Sequence, residues 1–120
     1  METRKTILVA EDNASNFKLL DVILSKEYDL LHAWDGKEAA EMYEQNHADL
    51  ILMDITMPVM DGYESTKLIR QMSTTVPIIG LTAHAFSDDE QKGYECGMNE
   101  YLTKPINIVQ LRQRINELLK

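Results

Sequence analysis

The chain has 120 residues, 44% of them hydrophobic and 27% charged, with a formal net charge of -8 and a pI near 4.8. That length suits one domain around one core, and the composition excludes a disordered chain. The acidity argues against direct nucleic-acid binding and for a metal cation or a basic protein surface as partner, while the absence of any long apolar run or signal segment leads us to expect a cytoplasmic domain without membrane insertion.

In chain order, residues 6–10 (Thr-Ile-Leu-Val-Ala) read as a strand buried on both faces that ends in Glu11-Asp12-Asn13. Residues 13–26 place Phe17, Leu20, Ile23 and Leu24 at helical spacing. Residues 28–33 form a shorter, more polar run that fits a sheet edge. Asp35 stands three residues before Glu38, the spacing of a helix cap, and predicts a second helix to about residue 46 with Ala39, Ala40 and Tyr43 inward.

Residues 50–54 (Leu-Ile-Leu-Met-Asp) run apolar and then deliver one carboxylate, which predicts a central strand with Asp54 exposed at its C-terminal end. Pro58 and Asp61-Gly62 make the next segment a loop. Asp61 and Glu64 repeat the cap spacing, and Leu68, Ile69 and Met72 supply the buried side of a third helix. Residues 76–82 (Val-Pro-Ile-Ile-Gly-Leu-Thr) are a strand that begins at a proline and ends on the hydroxyl of Thr82.

Ser87-Asp88-Asp89-Glu90 is a capping box, but the helix behind it carries Gly93 and few apolar residues before Gly97, so this fourth helix is expected to be the least stable. Residues 100–103 are a brief strand stopped by Lys104-Pro105. Asn107 and Gln110 then start a last helix with Ile108, Leu111, Ile115, Leu118 and Leu119 as its apolar stripe. Cys96, the only cysteine, excludes an internal disulfide and reads as a small packing residue near a helix end, just as Met53, Met57 and Met60 read as core and loop packing.

Five strands, the central ones apolar on both faces, alternating with five helices imply an α/β fold, a doubly wound parallel sheet with helices on both faces. Ligands of such sheets sit outside the C-terminal strand ends, where the strand order reverses. Those ends carry Glu11 and Asp12, then Asp54, Thr82 and Lys104. Three carboxylates crowded together require a proton or a cation between them, and hard oxygen donors without a His/Cys cluster favour Mg2+. With Lys104 and Thr82 facing a phosphoryl group, Asp54 can attack phosphorus, which is phosphoryl transfer to a protein carboxylate.

At this point the chain resembles two-component response-regulator receiver domains over residues 5–119. The resemblance rests on Ile7-Leu8-Val9-Ala10-Glu11-Asp12-Asn13, on Leu52-Met53-Asp54 with Met57-Pro58 and Asp61-Gly62, on Pro77-Ile78-Ile79 before Leu81-Thr82-Ala83, and on Tyr101-Leu102-Thr103-Lys104-Pro105. It implies a single flavodoxin-like (βα)5 domain with strand order 2-1-3-4-5. It also implies Asp54 as phosphoacceptor, Glu11, Asp12, Asp54 and the backbone carbonyl of Thr56 around Mg2+, and Lys104 paired with the phosphoryl group. Thr82 and Tyr101 would then be the switch residues that alter the face of helix four, strand five and helix five. Glu11 stands where many relatives carry aspartate, and its longer reach implies an indirect metal contact.

The implied partner is a sensor histidine kinase or a histidine-phosphotransfer domain. Asn16, the run from Asp54 to Gly62, and Leu81-Thr82-Ala83-His84-Ala85 resemble the receivers of hybrid sensor kinases, so the chain is expected to be part of such a kinase or a stand-alone receiver, without a turnover activity of its own. A phosphorylation-dependent dimer is left open by Arg112, Arg114 and Glu117 on helix five.

The alternatives are ordinary solvated loop acids, a receiver that binds partners without phosphorylation, a flavodoxin-like binding module, and an aspartyl-nucleophile phosphohydrolase. The binding module lacks a Gly-rich phosphate loop, and the hydrolase would need a second aspartate where Thr56 stands. His32, His47 and His84 are too scattered to form a metal site, although His84, two residues past Thr82, could tune phosphoryl lifetime together with Thr56.

Overall fold

The computed structural model describes residues 4–83 and 89–119. Its elements in chain order are β1 (Thr6–Ala10), α1 (Ala14–Leu24), β2 (Asp29–Ala33), α2 (Gly36–Asn46), β3 (Leu50–Asp54), α3 (Gly62–Met72), β4 (Ile78–Thr82), α4 (Asp89–Cys96), β5 (Glu100–Thr103) and α5 (Ile108–Leu118). All strand pairs are parallel and the sheet order is β2-β1-β3-β4-β5, as the resemblance implies. The order reverses between β1 and β3.

Alternation along each strand divides the core in two. Ile7, Val9, Leu50, Leu52, Ile79 and Leu81 face one side, where Leu20 and Leu24 of α1 and Leu111 and Ile115 of α5 cover them. Leu8, Ala10, Ile51, Met53 and Ile78 face the other, under α2, α3 and α4. Four residues of β3 in a row have no exposed surface, and each such side chain is worth about 2 kcal/mol relative to exposure. The centre of the sheet is therefore rigid where it delivers Asp54.

The helix starts follow local chemistry. Asn13, Asp35, Asp61 and Asn107 each accept a hydrogen bond from the backbone N–H three residues on, at 2.8 to 3.0 Å. At α2 the cap differs in one bond, because Glu38 turns its carboxylate to the N–H of Trp34. The capping box expected at Ser87 lies outside the described residues.

Several boundaries differ from the sequence pattern. Helix α1 stops at Leu24, where the Ser25 N–H closes on the Asp21 carbonyl and the N–H groups of Glu27 and Tyr28 both turn back to Leu24. Strand β4 starts at Ile78, because Pro77 has no N–H to add to the ladder, although its carbonyl accepts from Ile51. Met72 is 42% exposed, not buried, since the inward stripe of α3 is Gly62, Ser65, Thr66 and Ile69 and ends a turn early.

Small residues on that stripe allow close approach. The Ser65 hydroxyl donates to the Gly36 carbonyl at 2.8 Å, and the Gly36 N–H donates to the Met60 carbonyl at 3.0 Å. This ties α2 to the loop that follows Asp54. Farther along the same face, Arg70 holds α3 to the α4–β5 turn, donating to the Gly97 carbonyl and to the Asn99 side chain, both at 2.9 Å. On α5, Arg112 pairs with Glu27, and Arg114 pairs with Glu100 at 2.9 Å and with Glu117 at 3.6 Å. Among the described residues no helix is long and apolar enough to cross a membrane.

Candidate active site

The end of β1, the end of β3 and the residue after β5 bring their side chains into one crevice at the reversal point. One carboxylate oxygen from each of Glu11, Asp12 and Asp54 lies within 4.8 Å of the others. Lys104 Nζ stands 3.3 Å from Asp54 Oδ1 and 3.4 Å from Glu11 Oε1. Glu11 and Asp54 are 1% and 5% exposed, whereas Asp12 faces solvent. The expectation of an exposed Asp54 is thus corrected: the strand end is covered, and the carboxylate is reached through the crevice.

Among the described residues, one ammonium stands against Glu11 and Asp54 with the carboxylate of Asp12 beside them, so the acids of the crevice outnumber its cations. The effect falls on Glu11, whose carboxyl is pushed up to about 7, first by burial and then by the Asp54 charge, with Lys104 pulling the other way. Near neutral pH this carboxyl keeps a proton much of the time. A site that retains a proton to relieve crowding also suits a hard divalent cation, which would displace that proton, and the all-oxygen donor set fits Mg2+.

Other predicted residues take different positions. Thr82 is 2% exposed at the end of β4, and its carbonyl accepts from the Lys104 N–H at 2.6 Å, which fixes the chain that carries the lysine. Thr56 lies two residues past Asp54 on the loop and is exposed. Tyr101 is half-buried on β5, away from the acids, in a slot left open by Gly80 and Gly93, where an added Cβ would stand 2.9 and 3.0 Å from its ring. Its hydroxyl lies 3.4 Å from that of Tyr63. His84 lies outside the described residues.

Three features escaped the sequence reading. The Asn13 N–H donates to Glu11 Oε2 at 3.2 Å and so turns the glutamate back into the crevice. Gly62 packs so close that a Cβ would stand 2.4 Å from the Asp54 carbonyl oxygen. His32, read as scattered, contacts the Glu11 carbonyl through Nε2 at 2.8 Å. The Asp61-Gly62 pair is a legible signal of a loop and a helix cap, but not of the close approach of Gly62 to Asp54.

Fold and site together define a flavodoxin-like α/β protein with an acidic crevice and one lysine at the switch point. The response regulator receiver domain family matches residues 7–116, and the chain belongs to it. It is thus a receiver domain of two-component and phosphorelay signalling.

Among its relatives, Hybrid signal transduction histidine kinase I of Dictyostelium discoideum is 42% identical over 120 aligned residues, covering 92% of this chain and 7% of that protein. The receiver domain of sensor histidine kinase PA1611 from Pseudomonas aeruginosa PAO1, solved with a magnesium ion coordinated in its active-site cleft, has a TM-score of 0.91 at 35% identity and covers 98% of each chain. The receiver domain of Ssk1 from Saccharomyces cerevisiae, solved with the histidine phosphotransfer protein Ypd1, has a TM-score of 0.89 at 32% identity and covers 96% of this chain and 88% of that one. The chain spans only 7%, 12% and 10% of the length of three curated sensor proteins that it matches.

Proposed function

We propose that Asp54 accepts a phosphoryl group from a phosphohistidine on a sensor kinase or histidine-phosphotransfer domain, within a hybrid kinase or as a stand-alone receiver. The observation that carries this reading is the buried Asp54 carboxylate 3.3 Å from Lys104, in a crevice whose acids outnumber its cations. A carboxylate oxygen of Asp54 attacks phosphorus, the P–N bond to histidine breaks, and the new P–O bond makes an acyl phosphate. Lys104 balances charge on the transferring oxygens, and Thr82, at the end of the neighbouring strand, donates its hydroxyl to one of them.

Glu11, Asp12, Asp54 and the Thr56 carbonyl would hold Mg2+, which when bound draws charge from the phosphoryl oxygens. The magnesium ion in the Pseudomonas relative supports this assignment. The phosphotransfer complex of the yeast relative supports the partner class, and the hybrid kinases among the curated relatives support the origin. The added charge would draw Thr82 inward and bias Tyr101 toward another rotamer, shifting the α4–β5–α5 face. Thr56, at the mouth of the crevice, would with His84 adjust how fast the acyl phosphate hydrolyses.

The test is intact-protein mass after incubation with a small acyl phosphate, with and without Mg2+. One phosphoryl group on wild type in Mg2+, and none on Asp54→Asn, is the expected result. Labelled Asp54→Asn would move the acceptor elsewhere.

A further inference from the structure

Strand β2 lies at the sheet edge, and its pairing with β1 sets Val9 opposite His32 and Ala10 opposite Ala33. The ladder runs one step past β1, where the Glu11 N–H donates to the Ala33 carbonyl at 3.0 Å. The Glu11 carbonyl then meets His32 Nε2 at 2.8 Å, and because a carbonyl has no hydrogen to give, the imidazole must donate from Nε2. Both polar backbone groups of Glu11 are therefore held by the edge strand.

The carbonyl belongs to the peptide that joins the two adjacent acids. A peptide unit is planar and stiff, so fixing its carbonyl direction also fixes the entry into Asp12. Asp12 is exposed, and packing does little to orient it; its backbone must do so. The imidazole is itself held. Phe17 of α1 stacks on it at 3.8 Å and 3°, and Trp34 covers its other side at 4.1 Å and 35°.

We propose that His32 is a positioning residue for the acidic crevice: clamped between Phe17 and Trp34, its Nε2–H sets the Glu11–Asp12 peptide and so the affinity of the crevice for a divalent cation. This inference rests on reading the crevice as a Mg2+ site. An outer group that orients a ligand-bearing segment typically changes metal affinity by tenfold or more. An aromatic stack alone would protect the sheet edge without affecting the metal.

Two substitutions separate the ring from its hydrogen bond. His32→Phe keeps an aromatic plane between Phe17 and Trp34 and removes the donor, whereas His32→Gln restores an N–H at similar reach without the ring. The full chain is titrated with Mg2+ and followed by amide chemical shifts at the end of β1, and each variant is also unfolded in urea without Mg2+.

The expected result is a Mg2+ dissociation constant about tenfold higher for His32→Phe, largely recovered by His32→Gln, with the urea midpoint of His32→Phe unchanged. Binding by His32→Phe as tight as wild type overturns the inference alone, as does failure of His32→Gln to recover it. A loss of affinity that merely follows a loss of stability also overturns it. Wild type that binds no Mg2+ overturns the underlying metal reading and this inference together.

Discussion

The acidic crevice and the α4–β5 face sit at neighbouring parts of one sheet but are built on different tolerances. Around Asp54, backbone presses on backbone: Gly62 meets the Asp54 carbonyl, Gly36 meets the Met60 carbonyl, and the strand beneath is wholly buried. Around Tyr101 the close neighbours of Gly80 and Gly93 are the Met98 sulfur and the tyrosine ring, both of which can turn about side-chain bonds. Among the described residues helix α4 has eight residues against eleven for each other helix, and Arg70 anchors the turn after it. Under the proposed function, transfer to Asp54 would need fixed oxygens and a switch at Tyr101 would need an element with two arrangements, and the two kinds of packing suit those needs.

A large effect is expected from this contrast at Gly62. Gly62→Ala places a methyl 2.4 Å from the Asp54 carbonyl oxygen and 3.0 Å from the Ile55 Cα, neither of which can move alone, so urea unfolding should show a loss of about 3 kcal/mol. A loss near zero would show that the crevice floor yields as readily as the Tyr101 slot.

A second test uses pH. Glu11 binds its proton more tightly when folded, since its carboxyl rises from 4.5 to about 7. Its stabilising contribution in metal-free protein is therefore fully present below pH 4.5, declines as pH rises toward 7, and is gone above that. Wild type should lose stability relative to Glu11→Gln across that window. A flat difference in urea midpoints would mean that the crevice relaxes around its charge.

Smaller effects follow in the loop and the helix. Val59 has φ 69° and is 78% exposed, and the Met60 N–H reaches back to the Pro58 carbonyl at 2.7 Å, so a β-branched residue occupies a tight left-handed turn beside the site. Val59→Gly should raise stability by about 1 kcal/mol after the greater freedom of the unfolded glycine is offset. Gly93→Ala should change stability by less than about 1 kcal/mol, because helix propensity gained in α4 opposes a contact of 3.0 Å with mobile side chains. Slower hydrogen exchange across α4 would mark the gain in propensity, and a penalty as large as that of Gly62→Ala would erase the contrast.

The legible parts of the molecule are those written in local periodicity. Two-sided apolar runs at Leu50 to Met53 and Ile7 to Val9 mark central strands, and the side chains of Asn13, Asp35, Asp61 and Asn107 mark helix starts, because each signal acts within a few residues. Parallel topology follows from the alternation of elements, and it brings Glu11, Asp12, Asp54 and Lys104 to one edge. The burial of Asp54, the proton held by Glu11, the left-handed Val59 and the bond from His32 to the Glu11 carbonyl were decided by tertiary structure alone. Each depends on how closely distant segments approach, and the dielectric, the steric pressure and the hydrogen-bond partner at a site exist only once the chain has closed around it.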